Sequence, residues 1–342
     1  MARPTWRWSA LPATLALATM LVLPLPSLAQ DSTPAAYTMP ADLQLSGEIV
    51  SDGSSTVGPV TQAVAEEFAA LAPDVQISVD ISGTGGGFQR FCAGETDIQN
   101  ASRPIEADEE AACAAAGVAY YAFQVALDGV TVVANPNLAV DCLTVDQLNQ
   151  LWAEDSTVAN FNELDPAFPD QAIALFGPGT DSGTFDFFTG QINGEEGASR
   201  TDYTPSEDDN VIVEGVAGEA GGLGYFGYAY FNENQDRLKA IAVDGGSGCV
   251  MPSVETIADG SYAPLSRPLF IYVNAASLDR PEVQEFMRFY IASAQELVDD
   301  VGYVQSPAEV YAEDATKLEA DIAGTGTPDG PPMSDEMATP SS

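Results

Sequence analysis

Short apolar runs alternate along this chain with segments whose apolar residues recur every three or four positions. That is the pattern of a parallel sheet covered by helices, and it predicts an α/β protein. Apolar runs fall at 47–51, 75–81, 97–101, 125–134, 172–176 and 269–273, and helical periodicity at 61–71, 87–93, 108–116, 144–152, 183–192 and 281–298. In the first helix Val64, Phe68 and Leu71 share a face, and Pro73 ends it. Thr144 is placed to cap the helix that carries Leu148, Leu151 and Trp152. The 281–298 segment turns Val283, Phe286, Phe289 and Tyr290 inward. No internal repeat is visible. The runs at 125–134 and 269–273 read as the two places where the chain crosses between lobes.

Three of the apolar runs stop at a turn rich in Ser, Thr and Gly that leads into a helix. The first turn is Asp52-Gly53-Ser54-Ser55-Thr56, the second Ser82-Gly83-Thr84-Gly85-Gly86-Gly87, and the third Gly177-Pro178-Gly179-Thr180-Asp181-Ser182-Gly183-Thr184. A helix N-terminus carries unpaired N–H groups and the positive end of the peptide dipole, so it attracts anions. Glycines let the backbone approach a ligand, and hydroxyls donate without a charge to desolvate. A single Ser/Thr turn is an ordinary helix cap; three together point to a site that wraps a small oxyanion.

The remaining features restrict the class. There is no histidine, which removes Ser-His-Asp and Cys-His nucleophile systems, His-ligated zinc and His general bases. No metal site, cofactor or catalytic residue is expected. Residues 1–29 read as a cleavable signal peptide, with Arg3 and Arg7 before an apolar stretch and Ser27-Leu28-Ala29 at the cleavage site. The mature chain would carry nine basic against 51 acidic residues, a charge of −42. That excludes a nucleic-acid partner and leaves anion capture to local dipoles and one or two buried arginines. In an exported protein Cys92, Cys113, Cys142 and Cys249 should form two disulfides, for which three pairings exist. With two lobes, the in-lobe pairing Cys92–Cys113 and Cys142–Cys249 is the simplest. Residues 30–45 form a Pro/Ala/Thr-rich leader, and 324–342 a Gly/Pro/Ser/Asp-rich tail expected to be disordered.

Four segments together resemble the periplasmic phosphate-binding proteins of ABC-type phosphate importers. They are Ile49-Val50-Ser51-Asp52-Gly53-Ser54-Ser55-Thr56-Val57, Ser82-Gly83-Thr84-Gly85-Gly86-Gly87-Phe88, Ala101-Ser102-Arg103-Pro104-Ile105 and Asp181-Ser182-Gly183-Thr184-Phe185. The resemblance covers roughly 46–312. It implies a two-lobed type II periplasmic binding fold with the ligand in the cleft between lobes, in agreement with the rule for open α/β sheets. Lobe 1 would comprise 46–124 and, on the chain's return, 265–323; lobe 2 would be 125–264. The resemblance also implies a monomer that captures inorganic phosphate and docks on the membrane subunits of a permease. It carries Ser55 and Thr56 to the first anion-contacting turn, Thr84 to the second, and Ser182, Gly183 and Thr184 to the third, with Ser54 beside the first. The chain departs from the family where the best-studied members have an acidic residue in place of Arg103 and an arginine in place of Pro178. The cation is therefore expected at Arg103, with Asp181 as acceptor of the ligand's proton.

Rival readings are another tetrahedral oxyanion such as sulfate or molybdate, a secreted hydrolase using Ser182 or Thr184, and a sensor module on the same fold. Arg200 is a second, weaker candidate cation. Glu207-Asp208-Asp209-Asn210 lacks calcium-loop spacing and reads as a solvated loop. The aromatic run Tyr225–Phe231 reads as lobe packing or cleft wall.

Overall fold

The computed structural model describes residues 37–40, 43–180 and 182–330. The expected signal peptide, most of the leader, Asp181 and residues 331–342 lie outside the described residues.

A nine-stranded sheet runs through both lobes. On one side Val75–Val79, Gly47–Gly53 and Ile98–Ala101 pair in parallel, and Ser266–Asn274 closes against Ile98–Ala101 in the antiparallel sense. The 15-residue strand Tyr120–Ala134 pairs through 120–129 with Ser266–Asn274, and through 130–134 with Gly222–Gly227. It begins five residues before the expected run, and it is the strand by which one sheet becomes two lobes. Beyond it lie Ala174–Pro178 and Thr204–Ser206. A separate three-stranded sheet joins Cys142–Thr144, Ala242–Asp244 and Cys249–Val250.

Each lobe has its own apolar core. One gathers Phe68, Phe123, Phe286 and Tyr290 with the aliphatic residues around them; the other is built on Trp152, Phe188, Tyr225 and Phe226. Phe188 stacks on Tyr225 at 3.7 Å between ring centroids, and Trp152 meets Tyr225 edge-on at 4.9 Å, so the aromatic run at 225–231 packs the lobe. The cysteines pair as Cys92–Cys113, in a third and smaller cluster with Phe88, Phe91, Tyr120 and Tyr272, and as Cys142–Cys249, within the three-stranded sheet.

Helix Gly58–Leu71 starts three residues earlier than the periodicity suggests, because Pro59 is pre-set for a first turn. Val64 and Phe68 are buried, whereas Leu71, expected on the same face, is 46% exposed at the helix end. Thr144 caps Val145–Trp152 in a reciprocal arrangement with Gln147. Residues 324–330, expected with the tail, pack on the start of the long strand: the Asp329 N–H donates to Tyr120 O (3.0 Å) and the Ala122 N–H to Asp329 Oδ2 (2.8 Å).

Candidate functional site

Three helices begin at the same place. Gly58–Leu71 and Thr84–Cys92 come from the first lobe and Gly183–Asn193 from the second. Helix Thr84–Cys92 starts at Thr84, ahead of the expected 87, so the glycine run lies within its first turn. That run is a matter of clearance. A Cβ on Gly87 would lie 2.5 Å from Gly53 Cα and would strike Gln99 Oε1, so the helix could not sit against the strand end. Gly183 makes the matching approach across the cleft. A methyl there would lie 2.7 Å from Thr56 Oγ1 and 3.0 Å from Ser55 Oγ, so the approach of the two lobes leaves no room for a side chain at this point.

Between these helix ends lies a cavity of 40 Å³ lined by Ser54, Ser55, Thr56, Gly83, Thr84, Ser102, Gly183, Asp186, Glu196 and Arg267. That is room for roughly three waters, or one small tetrahedral anion. Five of the nine residues singled out from sequence, Ser54, Ser55, Thr56, Thr84 and Gly183, line it. Ser54 does so from the turn that precedes the helix, where its Oγ accepts the Thr56 N–H at 3.1 Å. Thr84 Oγ1 and Ser102 Oγ lie 3.1 Å apart. Ser182 does not line the cavity; its Oγ accepts the Thr184 N–H at 3.2 Å and caps its helix, with Thr184 beside it. Asp181 lies outside the described residues.

The cation is where the departure from expectation is largest. Arg103 lies outside this cavity. Its guanidinium donates twice to Glu109, at 2.8 Å each, and lies 3.2 Å from Glu106. Those two acids open the following helix, Ala107–Ala116, where a carboxylate is already favoured, so they hold Arg103 at the rim. Arg200 is buried in the second lobe, bonded to Asp202 and to the carbonyls of Leu151 and Val158. The arginine in the cavity is Arg267. Its Nη2 donates to Thr56 Oγ1 (2.8 Å), its Nε donates to Asp128 Oδ2 (3.2 Å), and its guanidinium lies 3.8 Å above the Phe187 ring.

Arg267 and Asp128 face each other across the pairing of Ser266–Asn274 with Tyr120–Ala134, where the chain passes between lobes. Asp128 is fully buried, and burial pushes its carboxyl up against the opposing pull of Arg267. Asp186, in the first turn of Gly183–Asn193, is also pushed up, by burial first and by Glu196 next, with Arg267 opposing. Glu196 is exposed at the cavity mouth. Sequence reasoning missed Gly83, Ser102, Asp186, Glu196 and Arg267. One signal for the last was present: Ser266-Arg267-Pro268 repeats Ser102-Arg103-Pro104 at the head of the other crossing run.

With this geometry the class of protein is defined by likeness as well as by site. Residues 38–294 match the PBP superfamily domain, and the chain belongs to that family. Among its relatives, the SphX protein of Synechocystis sp. is 48% identical over 78% of this chain and 81% of its own length. The phosphate-binding protein PstS of Staphylococcus saprophyticus is 40% identical over 81% of this chain and 86% of its own. A crystal structure of a possible phosphate binding protein from Planctomyces limnophilus superposes with a TM-score of 0.78 at 49% identity, covering 82% of this chain and 99% of that one. Among the described residues no helix is long and apolar enough to cross a membrane.

Proposed function

We propose that this chain is an exported solute-binding protein that captures inorganic phosphate between its lobes and delivers it to the membrane subunits of an ABC importer. The observation that carries the reading is the cavity itself. Hydroxyls from both Ser/Thr turns of the first lobe, the N-terminus of the second lobe's helix and one largely enclosed arginine converge on a space of anion size. The names of the PstS relative and the Planctomyces structure agree with it.

Asp186 favours phosphate over sulfate. A carboxylate against an oxyanion repels it unless the anion brings a proton to share, and hydrogen phosphate has one at neutral pH while sulfate does not. Asp186 takes the part expected of Asp181, and Arg267 that expected of Arg103. Asp128 holds Arg267 in place from the opposite strand. Binding rather than hydrolysis is supported by Ser182, whose hydroxyl is engaged as a helix cap. We take the protein to act as a monomer in the periplasm, without cofactor or metal.

Isothermal titration with phosphate, sulfate, arsenate and molybdate tests the reading. Phosphate should bind at about micromolar affinity or better, near −8 kcal/mol, which a handful of charge-assisted hydrogen bonds can supply. Sulfate should bind at least about a hundredfold more weakly. Equal affinity for both, or preference for molybdate, would overturn the assignment.

A further inference from the structure

Behind the anion cavity, within the first lobe, stands a charge of the wrong sign. Asp52 opens the first Ser/Thr turn, is fully buried and does not line the cavity. Its Oδ1 accepts the Gly53 N–H at 2.7 Å. Its Oδ2 accepts the Ser82 hydroxyl at 2.9 Å and a guanidinium N–H of Arg90. Gly53 O in turn accepts the N–H groups of Ser82 (3.2 Å) and Gly83 (3.0 Å). One carboxylate thus fastens the first turn to the second. The residues it fastens run directly into Ser54, Ser55, Gly83 and Thr84, which line the cavity.

A hydroxyl or an amide oxygen in place of the carboxylate has too few lone pairs to accept all of these bonds. The carboxylate accepts them, but it sets a negative charge beside an anion site. Buried, with little solvent to screen it, such a charge repels a second anion over several ångströms. What opposes it is Arg90, in the last turn of Thr84–Cys92, the helix whose first residue lines the cavity. A cation at that end is also favoured by the helix dipole. Arg90 reaches Asp80 (3.4 Å) and Glu95 (3.5 Å) as well, but their side chains are 57% and 60% exposed, whereas that of Asp52 is wholly enclosed. Water screens the two outer acids, so the contact with Asp52 is the one in which the charge of Arg90 counts most.

We infer that Arg90, which does not line the cavity, governs phosphate affinity by cancelling the charge of Asp52 behind the site. Both are positioning residues. The carboxylate sets the spacing of the two turns, and the guanidinium makes that carboxylate tolerable to a bound anion. This deepens the phosphate reading and rests on it. An ion pair that only stabilised the fold would change the melting temperature and leave the affinity of the folded protein alone.

The test is calorimetric titration with inorganic phosphate of the intact mature protein, Arg90→Gln, Arg90→Lys and the double variant Asp52→Asn with Arg90→Gln. Circular dichroism melts verify that each folds. Arg90→Gln should bind phosphate at least about tenfold more weakly, because Asp52 then acts on the anion uncompensated. Arg90→Lys should restore the affinity to within about threefold of the parent, since the charge is back. The double variant, neutral at both positions, should also return to within about threefold, although its ion pair is gone. Parental affinity in folded Arg90→Gln, or a double variant that binds no more tightly than Arg90→Gln, would overturn the inference and leave the pair a purely structural role. If Arg90→Gln does not fold, the double variant decides alone: binding within about threefold of the parent upholds the inference, and any greater loss overturns it. In all these outcomes the parent binds phosphate and the underlying reading stands. Failure of phosphate to bind the folded parent would overturn that reading, and this inference with it.

Discussion

The chain carries the tripeptide Ser-Arg-Pro twice, at 102–104 and 266–268, and the two arginines have opposite fates. Arg103 follows a strand end and immediately precedes a helix whose first turn supplies Glu109, with Glu106 at its cap. Its partners are three and six residues away, and its side chain remains 33% exposed. Arg267 opens a strand and has no carboxylate among the ten residues that follow it. Its partner, Asp128, is 139 residues away on the paired strand, and its side chain is 13% exposed. An arginine with acids close by in sequence is claimed locally, because that pairing requires no loop closure. One without them is left to the tertiary fold, which here sets it in the cleft, stacked on Phe187 and aimed at Thr56.

The comparison breaks most sharply at Arg267. Arg267→Ala should lower phosphate affinity by at least about a hundredfold, as two or more charge-assisted hydrogen bonds at about 1.5–3 kcal/mol each are lost. Arg267→Lys should restore only part of this, since an ammonium cannot grip two oxygens as a planar fork does. Titration of both variants, with melting curves to show that they fold, decides it. Affinity equal to the parent would return the search to Arg103.

Asp186→Asn comes next. Its amide can donate to a fully ionised oxyanion, so sulfate binding should rise by about tenfold and phosphate fall by a similar factor, narrowing the gap between them. Competition titrations read both changes, and an unaltered ratio would remove Asp186 from the site.

Asp128→Asn separates stability from function. The folded protein holds Asp128's proton more tightly than the unfolded chain does, so this group favours folding most below the ordinary carboxylate range. That contribution is lost as pH rises through its elevated folded value. The Asn variant, which keeps an acceptor for Arg267 Nε, should therefore melt at or above the parent at pH 7, with the gap closing on acidification to about pH 4, near the unfolded value of an aspartate. Its phosphate affinity should fall about tenfold as Arg267 loses its charged anchor. A variant that melts well below the parent at neutral pH would contradict the electrostatic account.

The smallest effect is expected at Arg103. Arg103→Ala should change phosphate affinity threefold or less, because its charge is already met by Glu109 at the rim. Raising salt from low to moderate levels should not enlarge the effect, since the contact with the ion is not direct.

Local physics explains which parts of this were legible. The elements follow from hydrophobic period and caps, both of which act over a few residues: Thr144 with Gln147, Ser182 with Thr184, and the buried face of Pro281–Asp300. The first and second Ser/Thr turns were visible because a strand end followed by a Ser/Thr/Gly-rich turn and a helix start is itself a local motif. The aliphatic helix end at Leu71 misled because period alone does not show where the neighbouring lobe surface stops.

By itself, then, the sequence determined the α/β class, the three Ser/Thr/Gly-rich turns that lead into helices and the hydroxyls they carry. It also showed the lack of histidine, and the even set of cysteines that an exported chain would pair. Only the tertiary structure chose among the three cysteine pairings and set Arg267 and Asp186 together at the cavity. Each of those depends on strand register and on the approach of two lobes, which join residues more than a hundred positions apart. Propensity and period act over a turn or two of chain and carry no information at that distance. Arg267 became the cavity's arginine because Asp128 stands directly across the strand pair from it, a relation that the packed fold alone creates.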